Sequence, residues 1–195
     1  MGYLIAIEGI DGAGSSTQVE LLYNYFYDLG FPVYKTKEPT TSPIGMLIHK
    51  SLKKEYVISK HTLALLFAAD RYEHVRQLDS FLNDGYIILM DRYILSSLAY
   101  QSIDCSPDWI RTINQNIRAA DITILIDVPP DVALKRIDTS RKGHELFEEF
   151  STLLKVRENY LKYIKTMNNY FIVDGTLSID EVFKSIISYI LPLIK

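Results

Sequence analysis

Several groups of side chains in this chain are typed and spaced for handling phosphate. The first is the run Gly9, Ile10, Asp11, Gly12, Ala13, Gly14, Ser15, Ser16, Thr17. Gly9 and Gly14 keep the spacing of a phosphate-binding loop, G-x-x-x-x-G-K-[ST], and Ser16 fills the hydroxyl position. Glycines permit positive φ and let backbone N–H groups crowd around an anion. A serine hydroxyl there is a ligand for Mg²⁺ bound together with phosphates. The lysine position, however, holds Ser15. A unit charge about 4 Å from a phosphate oxygen is worth up to about 4 kcal/mol at an effective dielectric of about 20. A phosphotransferase built on this loop therefore needs another cation, whereas a protein that only binds nucleotide does not. Asp11, inside the loop, either faces a second substrate or is an ordinary turn aspartate.

The second group is Asp91 and Arg92, at the end of "YIILMDRY". An apolar run ending in an acid has the form of a Walker B strand, whose aspartate orients Mg²⁺. Arg92 beside it could grip a phosphate; a structural Asp–Arg pair has the same look. Lys37 and Glu38, in "KTKEPTTSPIG", stand where a cation could meet an acceptor phosphate, or in a plain solvated loop. In "LLFAADRYEHVRQ", Phe67, Arg71 and His74 fall on one helical face. A ring beside a guanidinium can stack a flat base and bond its edge, although a core Phe beside a surface Arg would read alike. Finally, "LKRIDTSRKGHELFEE" places Arg136, Arg141 and Lys142 between two helical stretches. A basic lid of about residues 136–148 could close over phosphates and bring an arginine to the reacting centre; charge-rich surface loops are common too.

These groups need elements to position them. Short apolar runs recur at Tyr3–Ile7, Tyr86–Met90, Ile122–Ile126 and Tyr170–Val173, with a weaker one at Val33–Thr36. They do not alternate apolar with polar, which suits strands covered on both faces in a parallel sheet. Helical patterns lie between them. Val19, Leu22, Tyr23, Phe26 and Leu29 share a face and Gly30 follows as a stop. Further segments run over about 59–81 and 145–167, and a last one starts at Ser178 with Glu181 in capping-box position. Alternating strand and helix argue one α/β domain over residues 1–195, with ligands beyond the carboxyl ends of the strands.

Composition bounds the function. The chain has 195 residues and a net charge of −3, which gives no support to nucleic-acid binding. One cysteine, Cys105, excludes an internal disulfide and reads as inert. No apolar run approaches the ~18 residues of a membrane span. The opening "MGYLIAIEG" turns polar too soon for a signal sequence. The expectation is a cytoplasmic protein.

Taken in order, "IEGIDGAGSST", "KEPT", "FAADRYEH" and "DRYILSSLAYQ" resemble the thymidylate kinases, nucleoside-monophosphate kinases that phosphorylate dTMP on the way to dTTP. The resemblance covers nearly the whole chain. It implies a P-loop, three-layer α/β/α fold with a five-stranded parallel sheet, a mobile lid, Mg²⁺ with ATP as donor, and a homodimer. It also implies roles. Phe67 would stack on thymine and Arg71 would bond its edge, with Ser97 or Gln101 at the N3 side. Tyr100 would stand near the sugar 2′ position. Asp11 would hold the 3′-hydroxyl or position the dTMP phosphate with Arg92, and Lys37 would stand where relatives carry an arginine on that phosphate. Ser16 and Asp91 would hold the metal. Three departures stand out: Ser15 for lysine, Lys37 for arginine, and Leu146 where many relatives have a lid arginine. Gly12 resembles the subclass whose catalytic arginine comes from the lid. Arg136 and Arg141, with Lys37 as a possible third, are thus expected to supply the missing charge. Two alternatives remain open here: a nucleotide-binding protein with little catalysis, and a kinase for another nucleotide or a nucleoside.

Overall fold

A computed structural model describes residues 2–137 and 144–194. Five strands form one parallel sheet: β1 (Tyr3–Glu8), β2 (Val33–Lys37), β3 (Ile87–Asp91), β4 (Ile122–Asp127) and β5 (Tyr170–Asp174), in the order β2-β3-β1-β4-β5. Every expected strand is present to within a residue at each end. Burial on both faces holds for the three central strands only. The edges β2 and β5 keep exposed positions, which explains the weak apolar signal of β2.

The four periodic segments are α1 (Ser15–Asp28), α3 (Lys60–Asn83), α7 (His144–Tyr163) and α8 (Ile179–Ile190). Ser178 accepts from the Glu181 N–H while Glu181 reaches back to Ser178, the capping box expected from their spacing. Sequence reading missed α2 (Pro43–Leu52), α4 (Ile94–Tyr100) and α5 (Pro107–Asn114), and had α6 (Pro130–Ile137) only as an unbounded helical stretch before the basic segment. These helices span too few turns for a clear apolar period. Two of them had a legible start, α2 and α5, where Ser42 and Ser106 are each followed by proline at the first helical position.

Successive β1 residues point to opposite faces. Ile5 and Ile7 join Leu22 and Phe26 of α1 and Val156 of α7 in one core. Leu4 and Ala6 join Val75, Leu78 and Leu82 of α3 in the other. The result is the expected α/β/α layering. Among the described residues no helix is long and apolar enough to cross a membrane.

The register is what builds the site. Asp91 pairs with Ile7 on one side and with Lys37 on the other. The carboxyl ends of β1, β3 and β2 therefore present Glu8, Asp91 and Lys37 side by side, under the start of α1.

Candidate active site

The loop leaves β1 and enters α1 through two left-handed glycines, Gly12 (φ 81°) and Gly14 (φ 96°). Gly14 caps α1 without a side-chain bond, so among the described residues the first-turn N–H groups have no side-chain cap. A Cβ on Gly12 would lie 2.5 Å from the Ala133 carbonyl oxygen of α6. An arginine beside Asp11 thus cannot be fitted unless α6 moves.

Ser15 is buried, and its Oγ donates to Asp91 Oδ1 at 2.7 Å. Ser16 Oγ donates to the other oxygen, Asp91 Oδ2. The Lys37 ammonium lies 2.9 Å from that same Oδ2 and 3.1 Å from Ser16 Oγ. Burial alone would raise the Asp91 pKa. The bonds from Ser16, Lys37 and Ser15 outweigh it and hold the carboxyl below its ordinary value. A serine oxygen and an anionic carboxylate are the hard oxygen donors Mg²⁺ takes, and an ammonium already rests on both. Among the described residues no group of three or more His, Cys, Asp or Glu could hold a metal alone.

Two cavities meet at this loop. The loop cavity, about 420 Å³, is lined by Gly12, Gly14, Ser15, Ser16, Thr17, Lys37 and Arg92, among others. The neighbouring cavity, about 150 Å³, is lined by Phe67, Arg71, Ser96, Ser97, Tyr100 and Gln101, among others. Asp11, Glu38, Pro39, Leu52 and Arg92 line both. All the side chains expected to hold a nucleoside monophosphate face the second cavity or this seam, except Lys37, which lines the loop cavity alone.

Arg71 is no surface arginine: it is 1% exposed. Its Nε donates to Glu38 at 2.6 Å, Nη1 to Asn114 Oδ1 at 2.8 Å and Nη2 to the Tyr93 carbonyl at 3.2 Å. A guanidinium has five N–H groups, so two remain for a ligand. His74 also contacts Glu38 and bonds Thr36, a structural position between β2 and α3. Ser97 Oγ is buried with no partner among the described residues, on a wall of the same cavity.

Arg92 follows Asp91 in a left-handed conformation, φ 75°, which turns it from the sheet toward the seam. It donates to Asp11 at 2.7 Å and to the Tyr160 hydroxyl at 3.3 Å, and lies over the Tyr100 ring. Tyr160 meets Ser96 Oγ at 2.7 Å, and Ser96 in turn donates to Glu8. Glu8, fully buried, also accepts from the Tyr93 and Ser96 N–H groups and so caps α4.

Burial pushes the Glu8 carboxyl up to about 7, against the opposing bond from Ser96 and the charges of Arg92 and Arg71. The folded chain thus holds this proton more tightly than the unfolded one. The stability it contributes is complete below about pH 4.5 and is lost as pH rises through about 7. Glu8→Gln keeps an acceptor for the α4 N–H groups and removes the titration. Urea unfolding followed between about pH 5 and 7 is expected to show a shallower decline in the variant, by up to about 1.4 kcal/mol per pH unit. Equal slopes in the two proteins would place the titration elsewhere.

Arg136, expected to supply charge to the phosphates, lies near the end of α6 beside the loop. Its Nη2 donates to the Gly175 carbonyl at 2.8 Å, in a third cavity lined by Gly12, Ala13, Gly14, Thr17, Gln18, Leu177, Ile179 and Val182. That cavity flanks the loop but does not include Asp91, Lys37 or Arg92. Arg141, Lys142 and much of the expected lid lie outside the described residues.

The model of the family described as thymidylate kinase matches residues 7–186. The chain belongs to the thymidylate kinase family. That family's members are nucleoside-monophosphate kinases, phosphotransferases. The chain is 38% identical over 196 residues to a probable thymidylate kinase of Pyrococcus horikoshii, covering 97% of this chain and 96% of that one. A probable thymidylate kinase of Pyrobaculum aerophilum is 41% identical over 181 residues, 91% of each chain. One of Methanosphaera stadtmanae is 39% identical over 196 residues, 98% of each.

For a thymidylate kinase chain, the motif residues were open to sequence reading. Their supports were not. Glu8, Asn114 and Tyr160 act across 43 to 88 residues of chain, with no local pattern. Asp70 was also missed. It is 1% exposed and accepts from Thr40 N–H, Thr40 Oγ1 and Ser42 Oγ, fixing the turn that starts α2. Its one available signal was an acid on the buried face of α3. Cys105 is buried, as its inert reading required.

Proposed function

We propose that the protein transfers the γ-phosphoryl group of ATP to dTMP, giving dTDP and ADP. The supporting observation is the seam: a loop cavity for donor phosphates and a base-sized cavity share Asp11 and Arg92. Donor and acceptor phosphates brought to those two cavities meet there.

In this reading Phe67 stacks on thymine, and the two free N–H groups of Arg71 meet its edge. Ser97 Oγ, now without a partner, finds one on the base, with Gln101 one turn on. Tyr100, whose hydroxyl accepts from the Asp11 N–H at 3.0 Å, packs beside the sugar. Arg92 holds the acceptor phosphate with Asp11 as its anchor. An acceptor oxygen attacks the γ-phosphorus in line; that O–P bond forms as the bond to the β–γ bridging oxygen breaks. A phosphate oxygen is nucleophilic at neutral pH, so alignment and charge carry the rate. Ser16 and Asp91 would hold Mg²⁺, which would supply charge neutralisation at the transferring group. Arg136 and the buried Gln18, whose Oε1 has no partner among the described residues, fit the donor's base. Arg141 is the lid residue assigned to the reacting phosphates. A homodimer in the cytoplasm belongs to the same proposal. Exposed Met46, Leu65 and Tyr72 on α2 and α3 support the dimer.

Coupled ADP release over a panel of acceptors tests the reading. dTMP is expected to exceed UMP, dCMP and AMP in kcat/KM by at least about a hundredfold, because a site built to pair a base edge rejects one that leaves it unpaired. A preference for another monophosphate, or for thymidine, would move the acceptor assignment. Binding of both nucleotides without turnover would favour a binding protein.

A further inference from the structure

The loop lacks its lysine, and the serine in that position already spends its hydroxyl on a carboxylate of the protein. Ser15 is 7% exposed and its hydroxyl is turned back onto Asp91. Among the described residues, the cations lining the loop cavity are Lys37 and Arg92. Arg92 is committed to the seam by Asp11 and Tyr160. Lys37 is different. It ends edge strand β2, its side chain is 55% exposed, and its ammonium lies over Ser16, the second residue of α1. Sheet register places it there, since Lys37 is the β2 partner of Asp91.

We propose that Lys37 is the loop's missing cation: it gives the donor phosphates the charge a loop lysine would give, delivered from the end of β2. The proposal rests on the kinase reading of the site. It also differs from what the family resemblance implies for this position, a contact to the acceptor phosphate. The chemistry fits an ammonium better than a guanidinium. A compact point charge on a four-carbon stem, with three rotatable donors, can leave Asp91 Oδ2 and turn to a phosphate oxygen. It must leave when a divalent cation takes the same two oxygens, because like charges cannot share them. The Asp91–Lys37 pair is then the resting state, in which the metal-binding carboxylate is kept neutralised and the cation is parked within reach of the donor.

Lys37→Met keeps the stem and removes the charge. Calorimetric titration with ATP in excess MgCl₂, and separately with dTMP, gives the readout. ATP affinity is expected to fall at least about tenfold, the loss of one hydrogen bond to a charged group, with dTMP affinity unchanged within about twofold. Lys37→Arg is expected to keep most of the ATP affinity. Adding Ser15→Lys to Lys37→Met is expected to restore it. Equal ATP affinity in wild type and Lys37→Met overturns the proposal, and so does a loss confined to dTMP. Failure of the kinase reading is seen separately: a wild-type protein that never turns over dTMP but binds ATP through Lys37 leaves the proposal intact. The exposed position of Lys37 keeps the variant folded, which a thermal melt checks.

Discussion

Arg92→Ala is expected to lower kcat/KM for dTMP by about 10²- to 10³-fold. Arg92 is the side chain common to both cavities that carries positive charge, and Asp11 and Tyr160 hold it at their seam. Removing it takes away charge stabilisation where the acceptor oxygen meets the γ-phosphorus, and it leaves the Asp11 carboxylate there uncompensated. Both changes act against an anionic transition state. Stability should change little, because Tyr160 keeps its Ser96 contact and Ala tolerates the φ of 75° no worse than Arg does. Arg92→Lys restores the charge without the planar fork and should recover only part of the rate. Steady-state kinetics with dTMP varied, beside a thermal melt, separates these outcomes. A variant within about fivefold of wild type would remove Arg92 from the reaction.

Arg71→Met has the second large effect, on binding and on folding together. Arg71 and Glu38 form a buried pair, 1% and 3% exposed on their side chains. Breaking such a pair by removing one partner costs about 3–5 kcal/mol. At about 2–4 °C per kcal/mol for a domain of this size, the melting temperature should fall on the order of 10 °C. Binding of dTMP should be lost as well, since the two free N–H groups go with the guanidinium. The double variant Arg71→Met, Glu38→Gln separates the roles. Removing the stranded carboxylate should recover part of the stability while dTMP binding stays lost. Full recovery of binding in the double variant would mean that Arg71 serves only to neutralise Glu38.

What the sequence disclosed follows from which forces are local. The central strands were legible because burial on both faces demands unbroken apolar runs, as in Ile87–Met90 and Ile122–Ile126. The loop was legible because its glycine spacing is a backbone requirement, realised at Gly12 and Gly14. The pair Phe67 and Arg71 was legible as an i, i+4 couple, but the reading of Arg71 as a surface arginine fell only to the observed burial. Lys37 shows where local reading stops. Its residue type and place at a strand end were plain. That its ammonium meets Asp91, 54 positions away, depends on the β2–β3 register, which no nearby residue encodes. Arg136 shows the converse. Its basic, polar surroundings suggested the phosphates, while the helix geometry of α6 carries it to the Gly175 carbonyl.

The most direct test of the proposed reaction is ³¹P NMR of purified protein with MgCl₂, ATP and dTMP. The proposed function predicts the paired resonances of dTDP growing as the γ-phosphate signal of ATP falls, one for one. Loss of the γ-phosphate to free orthophosphate, or no change while calorimetry shows both nucleotides bound, would contradict it.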